Sequence, residues 1–344
     1  MVKSTVVGAS GYMGGELLRL LVRHPKVEKI VPVSRTHAGK PVSSVQKNLL
    51  KIFDEPFVDL NLKKIDSDVV FFAAPPGDWF AEVPALLERG IKVITLGGKY
   101  RVQDAALDKK LYGGYENKNL LAERVYGLPE LYREKIKKAR FVANPGCYAT
   151  SVLLACLPFS KLSGKIDMDK IAVTAVSGTS GAGAAPSEFL HHPEACSTVK
   201  PYKVLSHRHV PEIEYILADA CKKKMKISFT PSVANMSRGI MSFVTLFADG
   251  LKTDMPKHFE SYYKAEPFVR VIRGAEENVP ELLNVVGTNF CDIGVNYDPA
   301  HGRILVLSTL DNLIKGGSGQ AVQNMNLMLR FKEEAGLELV GGRP

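Results

Sequence analysis

The sequence predicts an α/β protein of two domains: a doubly wound parallel sheet, followed by an α+β domain with a mixed or antiparallel sheet. The chain has 344 residues, enough for two domains with separate cores. In the first half, short apolar runs alternate with helical patterns, as is typical of a parallel sheet. In the second half, strand-like segments with long connections favour a mixed or antiparallel sheet. We expect the first domain at 1–146 with 316–344, and a catalytic, oligomer-forming domain at 147–315.

Short apolar runs mark the strands of both halves. Between the first two runs, residues 15–22 carry leucines at helical spacing, so we expect a helix there. The glycine-rich stretch 316–319 precedes a last helix over about 320–334, which we expect to return to the first domain. The strands are predicted at 6–7, 30–33, 69–72, 93–94, 141–142, 171–176, 227–230, 240–244 and 304–307.

Composition and charge restrict the class of protein. Hydrophobic residues make up 45% and charged residues 24%, which is ordinary for a globular protein, and no apolar run has the ~18 residues of a membrane helix. The five cysteines include no CxxC pair, which disfavours a disulfide framework and cysteine zinc sites. Since no N-terminal signal segment is visible, we predict a cytoplasmic protein. The net charge of +9 fits solvated helix faces or an anionic partner, and no motif favours nucleic acid.

Three glycines follow the first predicted strand and precede the first predicted helix. Gly8, Gly11 and Gly14 let the backbone bend sharply and let a pyrophosphate approach without a Cβ in the way. The helix start beyond them supplies unpaired N–H groups for the anion. The pattern predicts a Rossmann-type dinucleotide site, with a tight turn that binds nothing as the alternative.

The residues at the end of the second predicted strand indicate which dinucleotide is bound. An NAD enzyme places an acid here to bind the ribose 2′-hydroxyl. This chain has Ser34, Arg35 and Thr36 instead, and an arginine can pair with a 2′-phosphate. We therefore predict NADP(H) as the cofactor. The alternative is that Arg35 is an ordinary surface charge.

Cys147 is the predicted nucleophile. Pro145 and Gly146 force a turn after the strand at 141–142, so Cys147 should lie at or near the N-terminus of the helix that follows. Helix N-termini depress the pKa of thiols, and the thiolate is the reactive form. Cys156 lies inside the apolar pattern of the same helix and fits a small hydrophobic role.

A second cluster, 60 residues further along the chain, can supply the base. His207 and His209 flank Arg208, which suits a proton shuttle beside an anion clamp. Glu212 can orient one imidazole, as a third group often does. A polar helix cap or a surface cluster is the alternative.

The small residues at 177–183 follow a predicted strand. Their successive N–H groups can form a nest for a phosphate or an oxyanion, which makes Ser180 and Gly181 candidate substrate contacts together with Arg208. A flexible linker fits the same composition equally well.

Taken together, these residues resemble the N-acetyl-gamma-glutamyl-phosphate reductases and their carrier-protein-dependent relatives in lysine and arginine biosynthesis. The resemblance implies a semialdehyde-dehydrogenase-like fold and NADPH-dependent reduction of an acyl phosphate to a semialdehyde through a cysteine thioester. The matching segments are GASGYMGGELLRLL (8–21), SRTHAGK (34–40), YGLPEL (126–131), ANPGCYAT (143–150), SGTSGAG (177–183), HRHVPE (207–212) and TPSVANMSRGI (230–240).

The resemblance also implies residue roles. Cys147 corresponds to the nucleophile, and a histidine of HRH to the base, for which we favour His207 over His209. The residues that correspond to cofactor contacts are Ser10, Gly11, Tyr12, Met13, Ser34, Arg35, Thr36 and Asn312, the last in DNLIKGGSGQ.

Two departures from the family pattern bear on the substrate. Ala184 follows SGAG where reductases of the acetylated substrate usually carry an arginine, which favours the branch whose substrate is held on a small acidic amino-group carrier protein. Lys99 stands where an acid is common. We therefore expect a carrier-bound aminoadipyl or glutamyl phosphate, an acidic carrier as partner, and a homodimer or homotetramer without metal. Free N-acetyl-glutamyl phosphate is the alternative, and a Cys–His hydrolase or acyltransferase and a non-catalytic nucleotide sensor are more distant ones.

Overall fold

The computed structural model describes residues 1–74, 77, 81–114, 117–162, 166–273 and 278–342. The chain forms two compact units. The first consists of Met1–Pro145 and Gly317–Glu338, and the second of Gly146–Gly316 and Leu339–Pro344.

The first unit is built on a parallel sheet whose described strands have the order β2-β1-β3-β4-β6-β5. The predicted doubly wound α/β architecture is confirmed. Because helices cover both faces of such a sheet, its central strands are apolar throughout rather than alternating. The strands are β1 (Val2–Val7), β2 (Val27–Val33), β3 (Val69–Phe72), β4 (Lys92–Thr95), β5 (Arg124–Tyr126) and β6 (Phe141–Ala143).

Helices of the first unit lie between its strands along the chain, except between β2 and β3, where the described segment has only 3₁₀ turns. The predicted helix at 15–22 begins three residues earlier, at Tyr12, immediately after the glycine turn. Leu17, Leu18, Leu20 and Leu21 are buried, so the leucine spacing marks the face that packs on the sheet. The helices are α1 (Tyr12–Leu21), α2 (Val83–Glu88), α3 (Ala105–Tyr112), α4 (Lys118–Glu123) and α5 (Pro129–Ile136).

The second unit is built on a mixed sheet, as predicted. Its described strands have the order β11-β12-β13-β10-β7-β9-β8, in which β7 pairs in parallel with β9 and antiparallel with β10. The helices are α6 (Cys147–Cys156), α7 (His192–Ala195), α8 (His209–Cys221) and α9 (Met255–Tyr263). The strands are β7 (Ile171–Ser177), β8 (Val199–Pro201), β9 (Ile227–Ala234), β10 (Ile240–Phe247), β11 (Val269–Val271), β12 (Cys291–Asp298) and β13 (Arg303–Leu310).

Helix α6 lies on one face of this mixed sheet, against β10 and β13, and beside α8. All residues from Tyr148 to Cys156 are buried, as expected for a helix that is apolar on every side. Ser151 Oγ lies within hydrogen-bond distance of Ser242 Oγ (2.9 Å) and Ser308 Oγ (3.1 Å). These bonds fix the rotation of α6 on the two strands, and so fix the direction of its first residue.

The last helix, α10 (Gly319–Met328), belongs to the first unit. The expectation that it continues to about 334 is wrong. Arg330 has a φ of 58°, and the Phe331 N–H donates to the Asn326 carbonyl at 2.8 Å. A left-handed residue followed by such a bond terminates a helix.

Candidate functional site

The glycine turn after β1 has the geometry of a dinucleotide-binding loop. Gly8 has a φ of 83°, which favours glycine over residues with side chains. A Cβ on Gly14 would overlap the Gly8 carbonyl oxygen, so the helix can pack against the turn only with glycine there. A Cβ on Gly11 would touch only the Gly8 oxygen at 3.5 Å, so packing within the fold does not require this glycine, and the absence of a Cβ leaves room for a ligand.

The loop also has N–H groups suited to an anion. Among the described residues, the first bond of the α1 ladder runs from the Gly15 N–H to the Gly11 carbonyl (2.8 Å). The N–H groups of Tyr12, Met13 and Gly14 precede it and have no partner within the helix. Such groups at a helix start suit a pyrophosphate. The loop therefore fits a dinucleotide.

Hydroxyl groups gather at the carboxyl end of β2. Ser34 is buried, and its Oγ lies 2.9 Å from Ser10 Oγ in the glycine loop. Thr36 Oγ1 lies 3.4 Å from Ser34 Oγ and 2.9 Å from His37 Nδ1, while Arg35 is exposed. The structure thus brings the predicted cofactor residues of the two segments together, with no carboxylate at the position where NAD enzymes place one.

Two side chains that the sequence did not indicate contact backbone carbonyls of the glycine loop and of the start of α1. Gln46 Nε2 lies 3.3 Å from each of the carbonyl oxygens of Ala9, Ser10 and Gly11. Ser318 Oγ donates to the Met13 carbonyl at 2.8 Å. No local pattern could reveal these contacts, because they join residues far apart in the chain.

Cys147 is the first residue of α6 and is partly exposed. Cys156, Cys221 and Cys291 are buried, and burial raises the pKa of the Cys156 thiol. Gly146 precedes the helix with an extended backbone, so the predicted turn and helix start are present. Cys147 is therefore the thiol best placed to ionise, at a helix N-terminus.

His209 begins α8 and packs directly on the start of α6. A Cβ on Gly146 would overlap the His209 imidazole at Nε2. Gly146 has a φ of −72°, which any residue adopts, so this position needs glycine for space and not for conformation. The imidazole therefore lies against the residue that precedes the candidate nucleophile.

His207 has a different environment. Its Nδ1 accepts a hydrogen bond from the His209 backbone N–H at 3.2 Å, and the residue is buried. Burial, with the positive charges of Arg208 and Lys203, lowers the pKa of His207 to about 4. The ring is thus neutral at pH 7 and is engaged at the start of α8.

Glu212, in the first turn of α8, is fully buried. Its Oε1 accepts a hydrogen bond from the Gly146 N–H at 2.9 Å. A buried carboxylate that accepts a backbone N–H forms a strong, charge-assisted bond. Glu212 therefore links the start of α6 to the start of α8. The sequence had suggested a different role, the orientation of an imidazole.

Two tyrosines complete the surroundings of Cys147. The Tyr148 ring packs edge-on against His207, His209 and Phe229, and its hydroxyl donates to the Ser232 carbonyl at 3.1 Å. Burial, and then the negative charge of Cys147, raise the pKa of Tyr202. Tyr202 therefore lies within electrostatic range of Cys147. No sequence pattern indicated Tyr202 as a site residue.

The loop at 177–183 differs from both expectations. The N–H groups of Gly178, Thr179 and Ser180 donate to the carbonyls of Gly239, Met236 and Ser237, so the loop is paired with a neighbouring segment. Such paired groups cannot form a nest for phosphate, and a paired loop is not a flexible linker. The side chains of Ser180 and of Arg208, which is exposed, are the groups among the predicted substrate residues that could still contact an anion.

Asn312 joins this loop to β10. Its Nδ2 donates to Ser180 Oγ at 3.0 Å, and its Oδ1 accepts from the Gly239 N–H at 2.7 Å. The structure thus brings Asn312 together with Ser180 and Gly181, two residues that the sequence assigned to the substrate.

Lys99 lies near a buried carboxylate. Burial raises the pKa of Asp108 to about 6, and the positive charges of Lys99 and Arg124 oppose that rise. Asp108 Oδ1 accepts the Tyr100 N–H at 3.3 Å. The positive residue at position 99 therefore has an acidic neighbour within its own unit.

Both units match models of one protein family. Residues 3–139 match the NAD binding domain of semialdehyde dehydrogenase, and residues 147–312 match the semialdehyde dehydrogenase dimerisation domain. The chain is 42% identical to an N-acetyl-gamma-glutamyl-phosphate reductase of Methanococcus maripaludis over 99% of both chains. The same enzyme of Methanocaldococcus jannaschii is 44% identical over the full length of both. The chain belongs to the N-acetyl-gamma-glutamyl-phosphate reductase family.

As a member of that reductase family, the chain is an oxidoreductase. A relative from Ignicoccus hospitalis, 41% identical over 98% of both chains, is named a putative [LysW]-L-2-aminoadipate/[LysW]-L-glutamate phosphate reductase. Relatives named for the acetylated substrate and a relative named for the carrier-bound substrate are therefore similarly identical to this chain.

Solved structures agree on the fold. Aspartate semialdehyde dehydrogenase II of Vibrio cholerae has a TM-score of 0.71 at 18% identity, covering 96% of this chain and 98% of that one. The Candida albicans enzyme, solved with NADP, has a TM-score of 0.68 at 15% identity, covering 96% and 99%. Identities this low establish a shared semialdehyde dehydrogenase fold and nothing finer.

The described residues of this reductase-family chain offer neither a membrane-spanning helix nor a cluster of metal ligands. No helix there is both long and apolar enough to cross a membrane. Nor do three or more His, Cys, Asp or Glu side chains in the described part of the chain gather as metal ligands would.

Proposed function

We propose that the protein reduces an acyl phosphate to a semialdehyde with NADPH, through a thioester on Cys147, in arginine or lysine biosynthesis. The observation that carries this proposal is the placement of a partly exposed cysteine at the first position of α6, beside the His209 imidazole, in a chain of the reductase family. This arrangement suits nucleophilic catalysis at a carbonyl.

The choice of NADPH is supported by the carboxyl end of β2. Ser34, Thr36 and Ser10 offer hydroxyl groups, and Arg35 an exposed guanidinium, for a 2′-phosphate. The bound cofactor would supply hydride to the thioester carbonyl. The N–H groups of the glycine loop would hold its pyrophosphate.

We propose that His209, the second of our two sequence candidates, is the base. The pKa of His207 is lowered to about 4, which makes it a weak base, and its Nδ1 already accepts a backbone N–H, so it is poorly suited to take a proton. His209 would take the proton of the Cys147 thiol, and the thiolate would attack the acyl carbon. The bond from that carbon to the phosphate oxygen then breaks, and inorganic phosphate leaves.

The same imidazole would serve the second half of the reaction. After reduction, the carbon–sulfur bond of the hemithioacetal breaks, releasing the aldehyde and returning the thiolate. Protonated His209 would give its proton to the oxygen of the tetrahedral adduct after hydride addition, and would take it back as the carbon–sulfur bond breaks. Glu212, through the Gly146 N–H, would hold the two helix starts in position throughout.

Two substrates are candidates for the acyl phosphate. Free N-acetyl-glutamyl phosphate is supported by the names of relatives at 41–44% identity. A carrier-bound aminoadipyl or glutamyl phosphate is supported by the Ignicoccus relative and by Ala184, an exposed residue where an arginine is usual. The net charge of +9 would suit an acidic carrier protein as partner.

Purified enzyme offered each acyl phosphate with NADPH tests this proposal. We expect aldehyde and phosphate in equal amounts from one of them. If the carrier-bound substrate reacts no better than the free one, the carrier has no role. If neither reacts while NADPH is oxidised slowly or not at all, the proposed reaction is refuted.

We also propose a cytoplasmic homo-oligomer. One face of the mixed sheet carries Phe247 and Leu305, which are 40% and 39% exposed. Met241, Phe243 and Val176 lie on the same face, as the pairing of β7, β10 and β13 requires, and are only partly buried. A second copy of the chain would cover these side chains, in keeping with the family's dimerisation domain.

A further inference from the structure

We infer that Gln46 is a positioning residue that holds the glycine loop in the shape that binds the cofactor pyrophosphate. The inference rests on the proposed dinucleotide function and adds a residue to it. Gln46 lies outside the glycine motif, in the segment between β2 and β3, where two short 3₁₀ turns occupy Val42–Ser44 and Lys47–Leu49.

The side-chain amide of Gln46 packs against the backbone of the glycine loop. Its Nε2 is 3.3 Å from three successive carbonyl oxygens, those of Ala9, Ser10 and Gly11. Two amide hydrogens shared among three acceptors bind each weakly, but together they point all three carbonyls to one side. Since the N–H and C=O of one trans peptide point in opposite directions, the N–H groups of Ser10 and Tyr12 then point away from Gln46 and towards the side where an anion can bind. The Gly11 N–H donates to the Gly8 carbonyl at 3.1 Å.

Gly15 makes room for this side chain. A Cβ at Gly15 would lie 2.5 Å from Gln46 Cδ and would overlap the amide oxygen. Gly15 is inside α1, where alanine is the better helix former. Its φ is not in the left-handed region, and it is not one of the three glycines of the loop motif. The space it leaves is used by Gln46.

Preorganisation of the glycine loop lowers the free-energy cost of binding the cofactor. A loop rich in glycine has many accessible conformations, and fixing one of them on binding costs affinity. Gln46 fixes the loop before the cofactor arrives. Ser10 adds a second tie to Ser34, and Ser318 a third through the Met13 carbonyl.

The first test is calorimetric binding of NADPH to the enzyme without substrate. Gln46→Leu keeps the volume and removes the amide. We expect its Kd to rise about tenfold, the effect of one lost hydrogen bond's worth of free energy. Because this amide acts on cofactor binding and not on the reacting groups, kcat at saturating NADPH should change less than twofold while the KM for NADPH rises.

Gln103→Leu is the matched control. Gln103 is exposed and also donates to a backbone carbonyl, that of Leu121, outside the glycine loop. Its substitution should leave the Kd unchanged. Melting temperatures of both variants within a few degrees of the wild type would show that folding is retained.

The second test is a double-mutant cycle between Gly15 and Gln46. Gly15→Ala should weaken NADPH binding in the wild type because the new methyl group displaces the Gln46 amide. In a Gln46→Ala background, the same change should have no further effect on the Kd. This coupling distinguishes displacement of Gln46 from a general effect of alanine in the helix.

The outcomes separate the two proposals. If the wild type binds NADPH and Gln46→Leu binds it equally well, or if Gly15→Ala has the same effect in both backgrounds, Gln46 has no positioning role. If the wild type itself binds no NADPH, the proposed cofactor is wrong and the inference about Gln46 is overturned with it.

Discussion

At the residue scale, the chemistry depends on the environments of individual thiols and imidazoles. Cys147 is partly exposed at a helix start, whereas Cys156, in the same helix, is buried and has a raised pKa. A motif alone cannot assign such environments, because they depend on what packs around each side chain.

Replacement of Cys147 by serine should lower kcat at least about a thousandfold, because a hydroxyl at this position is not ionised by a helix start. NADPH binding and the melting temperature should stay unchanged. Cys196→Ser is the matched control, since Cys196 is also partly exposed and its Sγ lies 3.5 Å from Ser197 Oγ. A Cys147→Ser enzyme with near-normal turnover would exclude the thioester route.

His207 should make the fold sensitive to acid. Its pKa is about 4 in the folded chain against 6.5 in the unfolded chain. As the pH falls from 6.5 towards 4, the unfolded chain therefore binds a proton that the folded chain does not, and stability decreases by at most about 3 kcal/mol. His207→Gln should show a smaller drop in melting temperature between pH 7 and pH 5 than the wild type. An equal drop in both would assign the acid sensitivity to other groups.

The two histidines should also separate kinetically. His209→Gln should lower kcat about a hundredfold or more, because the base is lost. His207→Gln should retain most of the activity at pH 7.5 if its role is to accept the backbone N–H of His209. The reverse order of effects would restore His207 as the base.

Arg35→Ala should raise the KM for NADPH about tenfold or more, because a charge-assisted contact to the 2′-phosphate is lost. The KM for NADH, which lacks this phosphate, should change little. Steady-state kinetics with both cofactors measure the ratio. Equal changes in the two KM values would mean that Arg35 is an ordinary surface charge.

At the scale of elements, the glycine turn before α1 assigns different tasks to its glycines. Gly14→Ala should lower the melting temperature and abolish NADPH binding, because the methyl group would overlap the Gly8 carbonyl. Gly11→Ala should keep the melting temperature, since its methyl group meets only an ordinary contact, and should weaken binding by blocking the pyrophosphate. Thermal shift and calorimetry together test this difference. Equal losses of stability would contradict it.

The elements also show what the sequence could predict. The apolar runs located β1, β3 and the central strands of the mixed sheet, because their burial is written in consecutive residues. Strands β5, β8 and β11 have three residues each and carry no such run. They exist because a neighbouring strand offers hydrogen bonds, which a local pattern cannot express.

The same limit applies to the candidate site. Cys147 and the glycine loop were predictable because turn and helix signals surround them. The contacts of Gln46 with the loop, of Glu212 with the Gly146 N–H and of Tyr202 with the field of Cys147 all join distant parts of the chain. The neutral state of His207 depends on burial, so no reading of HRH could choose between its two histidines.

At the scale of the whole molecule, the exposed face of the mixed sheet predicts self-association. Leu305→Lys should place a charge in the middle of that face and lower the molar mass measured by light scattering. Leu283→Lys is the control, since Leu283 is 50% exposed and lies in a 3₁₀ turn and not in a strand of that sheet. An unchanged mass for the Leu305 variant would place the subunit interface elsewhere.

The hydroxyl pair of Ser10 and Ser34 has a consequence for redesign of the coenzyme preference. The obvious route to an NADH-using variant is an acidic residue at the end of β2. At position 34 that carboxylate would enter a buried site and would replace the hydroxyl that ties the strand to the glycine loop. That single substitution would weaken the binding of both coenzymes. Thr36 is exposed and is therefore the better position for the acidic residue.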